Sequence, residues 1–144
     1  MSTPGALNRS VVLPMQRKIA ARFAVGLAHL IARLSPHRIR TVMMVLRRGA
    51  APATHVNASA ARDAVLAVSL ACTGPQGCLP RSLATALLCR MSGQWPVWCV
   101  GVRVLPPFGA HAWVEADGRL VDEDAPGDYF QRLMAVPAPE SKRS

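Results

Sequence analysis

Three groups in this chain have the types and order of a thiol-based acyl-transfer site. Cys78 stands in Gly77-Cys78-Leu79-Pro80-Arg81-Ser82-Leu83, and His111 in Ala110-His111-Ala112-Trp113-Val114-Glu115. An acidic run, Asp122-Glu123-Asp124, follows them. A thiolate attacks a carbonyl, an imidazole carries the proton, and a carboxylate orients the imidazole. Cys78 falls at an expected helix N-terminus, where unpaired N–H groups and the helix dipole favour an anion and lower a thiol pKa. Its own N–H points to where an oxyanion would sit. Pro80 suits a first helical turn, and Gly77 lets a substrate chain pass close to the sulfur.

The remaining cysteines and histidines read differently. Cys72, Cys89 and Cys99 lie among apolar neighbours and are expected to be small core residues. No two of the four cysteines form a CxxC pair, so neither a zinc knuckle nor a ribbon is expected, and no cofactor. His29, His37 and His55 are expected to be surface or helix histidines.

The acid depends on a hairpin. Asp117-Gly118 is a strong turn signal between Ala110–Ala116 and Arg119–Asp122. A two-residue turn pairs Ala116 with Arg119 and sets Asp124 opposite His111, with Asp122 diagonal. A three-residue turn with Gly118 as a left-handed bulge pairs Glu115 with Arg119 and sets Glu123 opposite His111. One residue of register flips every side chain. Ala-Asp-Gly suits the bulged turn, so Glu123 is favoured, with Asp122 second.

The elements that must hold these groups follow from periodicity. From Gln16 to Leu34, Ile19, Phe23, Leu27, Leu30, Ile31 and Leu34 recur at helical steps, with Arg17, Lys18, Arg22 and Arg33 largely off the stripe. Ser35-Pro36 breaks that helix. A second runs from about His37 to Arg48, offering Ile39, Val42, Met43 and Leu46. A third, capped by Asn57 or Ser59, runs to about Cys72 with Val65, Val68 and Cys72 on one face. The fourth begins around Cys78 to Pro80 and closes at Gly93. Trp95 to Leu105 reads as a strand, the hairpin follows, and Asp128 to Met134 as a last helical turn.

The net charge of +9 is unevenly placed: residues 1–62 hold no acidic side chain. Aromatic residues make up only 5% and do not interleave with the basic ones as a stacking platform would, which argues against nucleic acid. A docking face for an acidic partner, or a solvated face, fits better. The chain is 51% hydrophobic with a mean hydropathy of +0.21, yet Arg22, His29 and Arg33 interrupt its longest apolar stretch. No membrane span or secretory signal is expected, and the reading is a cytoplasmic protein.

From Gly77 onward the chain resembles the transglutaminase-like leader peptidases of lasso-peptide biosynthesis. The residues that carry the resemblance are Cys78-Leu79-Pro80-Arg81-Ser82-Leu83-Ala84, Val100-Gly101-Val102-Arg103 and Phe108-Gly109-Ala110-His111-Ala112-Trp113-Val114-Glu115, with Asp117-Gly118 and Asp122-Glu123 behind them. The resemblance implies an α+β fold, with the nucleophile helix packed on a small antiparallel sheet in a papain-like, transglutaminase-like core, and N-terminal amphipathic helices before it. It implies Cys78 as nucleophile, His111 as base, and an acid at the end of the second hairpin strand, where this chain has Glu123 in a place that is often Asp.

It also implies the reaction, namely removal of the leader from a ribosomally made precursor peptide before a separate cyclase closes the ring. No leader-recognition fold is recognised ahead of the core. The expected partners are therefore the precursor's leader region, a separate leader-binding protein and the lasso cyclase. The expected organisation is a flexible arm over 1–15, basic helices over 16–52, the cysteine peptidase core over 53–136 and a tail over 137–144. Two other readings remain: an acyltransferase of the same fold using the same triad, and a non-catalytic basic binding module.

Overall fold

The computed structural model describes residues 15–69, 77–104, 109–121 and 130–139. The arm before Met15, Cys72, the acids Asp122, Glu123 and Asp124, and the tail from Glu140 lie outside the described residues.

The described residues build four helices, α1 (Met15–Ala32), α2 (Pro36–Leu46), α3 (His55–Val68) and α4 (Cys78–Met91). Short strands β1 (Ala51–Pro52) and β2 (Gln94–Trp95) pair in parallel. An antiparallel sheet is made of β3 (Val97–Arg103), β4 (Ala110–Ala116), β5 (Arg119–Leu120) and β6 (Phe130–Val136), in the spatial order β5-β4-β3-β6. This is the expected α+β arrangement, a central helix against a small antiparallel sheet.

The organising element is α4. Every residue from Ser82 to Cys89 is buried, so its neighbours must approach it from all sides. α1 and α3 do so with alanine faces: Ala21, Ala24 and Ala28 on α1, and Ala58, Ala61 and Ala64 on α3. Small side chains at three- and four-residue steps let helix backbones come close. This corrects the expectation for α1. Its large residues Ile19, Phe23 and Leu30 point outward, each about 60% exposed. Only Ile31 of the expected stripe is fully buried.

Polar side chains on α4 bond to their surroundings. The Ser82 hydroxyl donates to Leu79 O at 2.9 Å and accepts from Trp98 Nε1 at 3.0 Å, which ties α4 to β3. Arg90 reaches from α4 to the end of α2, where its Nε and Nη2 donate to Leu46 O and Arg48 O. Those are carbonyls that a helix terminus leaves without intrahelical donors. α2 starts at Pro36, one residue before the expected His37, with Ser35 as its N-cap. α3 is capped by Thr54, whose hydroxyl accepts from Asn57 N, rather than by Asn57 or Ser59.

Two further expectations change in the sheet. Pro96, which cannot donate to a ladder, splits the strand read from Trp95 into β2 and β3. Residues 130–134, read as part of a helical turn, belong instead to β6 on the far side of β3. Pairing with a buried strand overrides the helical propensity of Gln131, Arg132, Leu133 and Met134.

Candidate active site

α4 begins at Cys78 itself, with Gly77 as N-cap and Arg81 N donating to Gly77 O at 2.8 Å. Gly77 brings no side-chain cap, so the first-turn N–H groups and the positive end of the dipole are left to the thiol. β4 brings His111 to the same place. It pairs with β3 along its length but with β5 only at Glu115 and Ala116, and the thiol meets it at His111 and Ala112.

These contacts set the thiol's chemistry. A hydrogen bond with the His111 side chain is the main cause that holds the half-buried Cys78 thiol below its ordinary pKa of 9.0; partial burial opposes it, while the Ala112 backbone and the charges of His111 and Arg81 help. Cys89 and Cys99 behave in the opposite way. Burial pushes both up to about 12, aided at Cys99 by the nearby Glu115 carboxylate. Of the described cysteines, Cys78 alone has its pKa lowered rather than raised.

His111 is itself buried, 7% exposed, and lies among aromatic rings. Phe130 of β6 stacks on the imidazole with centroids 4.6 Å apart and planes 15° apart. Trp113 lies 5.8 Å from the imidazole and 4.9 Å from Phe130, again nearly parallel. The Trp113 indole N–H donates to Glu115 Oε2, and Arg132 of β6 grips Glu115 Oε1, both at 2.9 Å. So β6 contributes twice to the wall behind His111.

A glycine makes that reach possible. Gly101 of β3 is the register partner of His111 on one side and of Arg132 on the other, at a bulge between Val100 and Gly101. A Cβ there would collide with the Gln131 carbonyl oxygen and stand 3.0 Å from Arg132 Cα. Without a side chain at Gly101, β6 folds in and Phe130 meets His111 above β3.

The hairpin forms in the register that was not favoured. Ala116 pairs with Arg119 across a two-residue turn, with both Asp117 (φ 55°) and Gly118 (φ 74°) left-handed. That is the mirror-image turn whose twist suits adjoining strands, and Asp tolerates its first position. The turn is also anchored: Asp117 Oδ2 accepts from His55 N at 2.7 Å, and His55 Nε2 lies 3.0 Å from Leu120 O. The bulged register that pointed to Glu123 is therefore overturned, while Glu123 and Asp122 themselves lie outside the described residues.

Sequence reasoning brought Cys78 and His111 together. It missed Phe130, the Glu115–Arg132 pair and the bridging role of His55. One signal was available: an isolated glycine in Val-Trp-Cys-Val-Gly-Val-Arg marks a close backbone approach or a bulge.

This fold agrees with comparison at the family level. The model of the Transglutaminase-like superfamily matches residues 21–135, from within α1 to the end of β6, and the chain belongs to that superfamily. Its members are usually cysteine proteases or transferases. No curated protein and no solved structure matches the chain significantly. Among the described residues no helix is long and apolar enough to cross a membrane.

Proposed function

We propose that this protein is a cysteine peptidase that removes the leader from a lasso-peptide precursor, with Cys78 as nucleophile, His111 as base and an acid from the Asp122-Glu123 step. The observation that carries the reading is the Cys78 thiol at the start of a buried helix, hydrogen-bonded to a buried His111 and lowered in pKa by it. The superfamily match supports the class of chemistry. The narrower substrate rests on the Cys-Leu-Pro-Arg-Ser-Leu and His-Ala-Trp-Val-Glu motifs.

In this reading the Cys78 thiolate adds to the scissile carbonyl, and the oxyanion faces the first N–H groups of α4. His111, protonated as the thiolate forms, gives its proton to the departing amine. Water then attacks the thioester, and His111 takes its proton and returns the thiol. An amine in place of water would give acyl transfer from the same intermediate.

A separate leader-binding partner belongs to this proposal, with the cyclase acting downstream. The surface that supports it lies on and beside α1. Arg47 donates to Pro137 O at 2.8 Å and serves the fold, whereas Ile19, Phe23 and Leu30 are exposed beside the exposed Arg22 and Arg33. An apolar stripe with cations beside it fits a partner that offers apolar surface edged with carboxylates.

The test is mass spectrometry of a leader-bearing precursor incubated with the protein, with and without the leader-binding protein, and with an added amine. Cleavage that Cys78→Ala abolishes is expected. Amine adducts without hydrolysis would favour the transferase. An intact peptide together with an unreactive Cys78 would leave only a binding module.

A further inference from the structure

The aromatic stack has no part in the triad, yet it touches the base directly. We propose that Phe130 is a positioning residue for the Cys78–His111 pair: reaching over Gly101, its ring holds the imidazole in place and favours its protonated form beside Sγ. The inference rests on Cys78 and His111 being the reacting pair.

The geometry is specific. A phenyl ring 4.6 Å from the imidazole and 15° from parallel presents its π face to the other ring. That face is the negative end of the ring quadrupole and attracts a cation lying over it. Neutral imidazole gains less from the contact than imidazolium. The thiolate requires imidazolium, so the stack acts on the proton transfer between His111 and Cys78. It also closes the rotation that would swing the imidazole away from the sulfur. Trp113 supports the arrangement from β4, fixed by Glu115 and Arg132.

Other charges lie around the pair. Arg81 on α4 acts on the Cys78 thiol. Arg62 on α3 lines a pocket with Arg81, Ala112 and Trp113, Glu115 on β4 pairs with Arg132 on β6, and Arg103 on β3 lies near Gly109. A change confined to the Phe130 ring leaves all of them in place.

The experiment follows alkylation of Cys78 by iodoacetamide against pH in the full chain, with circular dichroism as the check on folding. No peptide is needed, so failure of the leader-peptidase reading would not disturb the result. Phe130→Leu should slow labelling at neutral pH about three- to tenfold and move its midpoint up by roughly half to one pH unit. Phe130→Tyr should restore both. Pentafluorophenylalanine at position 130 keeps the ring's shape and reverses its quadrupole, so it should behave like the leucine variant while the protein stays folded. A folded fluorinated protein with the wild-type profile would overturn the proposal, whether or not Phe130→Leu folds. So would equal impairment of the leucine and tyrosine variants, which would mean a packing role alone.

Discussion

Gly101→Ala is a small change with a large expected effect. The added Cβ would meet three backbone atoms, the Gln131 carbonyl oxygen and carbon and, at 3.0 Å, Arg132 Cα. No rotamer change relieves backbone, so β6 must move away from β3. Forcing an atom into a packed site costs about 1–3 kcal/mol, and each ladder hydrogen bond lost at the bulge adds about 1 kcal/mol. With one or two bonds lost, a total of about 3 kcal/mol is expected, which lowers Tm by roughly 6–12 °C in a chain of this size. The displaced strand carries Phe130 and Arg132, so the wall behind His111 opens as stability falls. Thermal denaturation by circular dichroism gives the first effect, and the rate of Cys78 alkylation well below the new Tm gives the second. A Tm within about 2 °C of wild type, with unchanged labelling, would refute the argument that close approach at Gly101 builds the site.

The thiols should separate cleanly in labelling: Cys78 reacts near neutral pH, faster as pH rises through its lowered pKa, while Cys89 and Cys99 stay unlabelled until the chain unfolds. As burial raises their pKa values, Cys89 and Cys99 contribute stability that is full below 9.0 and is lost as pH climbs toward about 12; urea midpoints measured across that range should fall. Asp117→Ala removes the acceptor for His55 N and leaves alanine at φ 55°, so a loss of about 1–2 kcal/mol is expected from chemical denaturation, with Asp117→Gly milder. Because the hairpin turn has two residues, Asp122→Asn should slow precursor cleavage more than Glu123→Gln; the reverse order in a mass-spectrometric time course would restore Glu123. Exchanging Arg22 and Arg33 for Glu should raise the apparent KM for leader-bound precursor with little change in kcat, and the wild-type advantage should shrink with salt.

What the sequence revealed and what it hid divide along physical lines. Cys78 and His111 were legible because local signals place them: Gly-Cys-Leu-Pro starts a helix, and an apolar strand runs straight into Asp-Gly. The buried face of α1 was not, because that helix is apolar on two sides. Size suggested Ile19 and Phe23 for the core, whereas the distance to a fully buried α4 selected the alanines. β6 was hidden because a strand's identity comes from its partner, and β3 lies some thirty residues upstream. The turn at Asp117-Gly118 was recognised but not its length, since both lengths suit the same two residues. The long-range hydrogen bonds from His55 separated them, and these have no counterpart in local spacing.

Chain order gives the aromatic stack a consequence in time. Cys78 leaves the ribosome first, then His111, and Phe130 last, on the strand that closes the sheet. At ordinary elongation rates the nineteen residues from Ala112 to Phe130 take roughly one to four seconds. Throughout that interval a growing chain holds the thiol and the imidazole without the ring that backs them. A chain that stalls or is cut before Phe130 stays in that condition. With Phe130 positioning the pair as proposed, the thiol gains its full reactivity only once the last strand is in place.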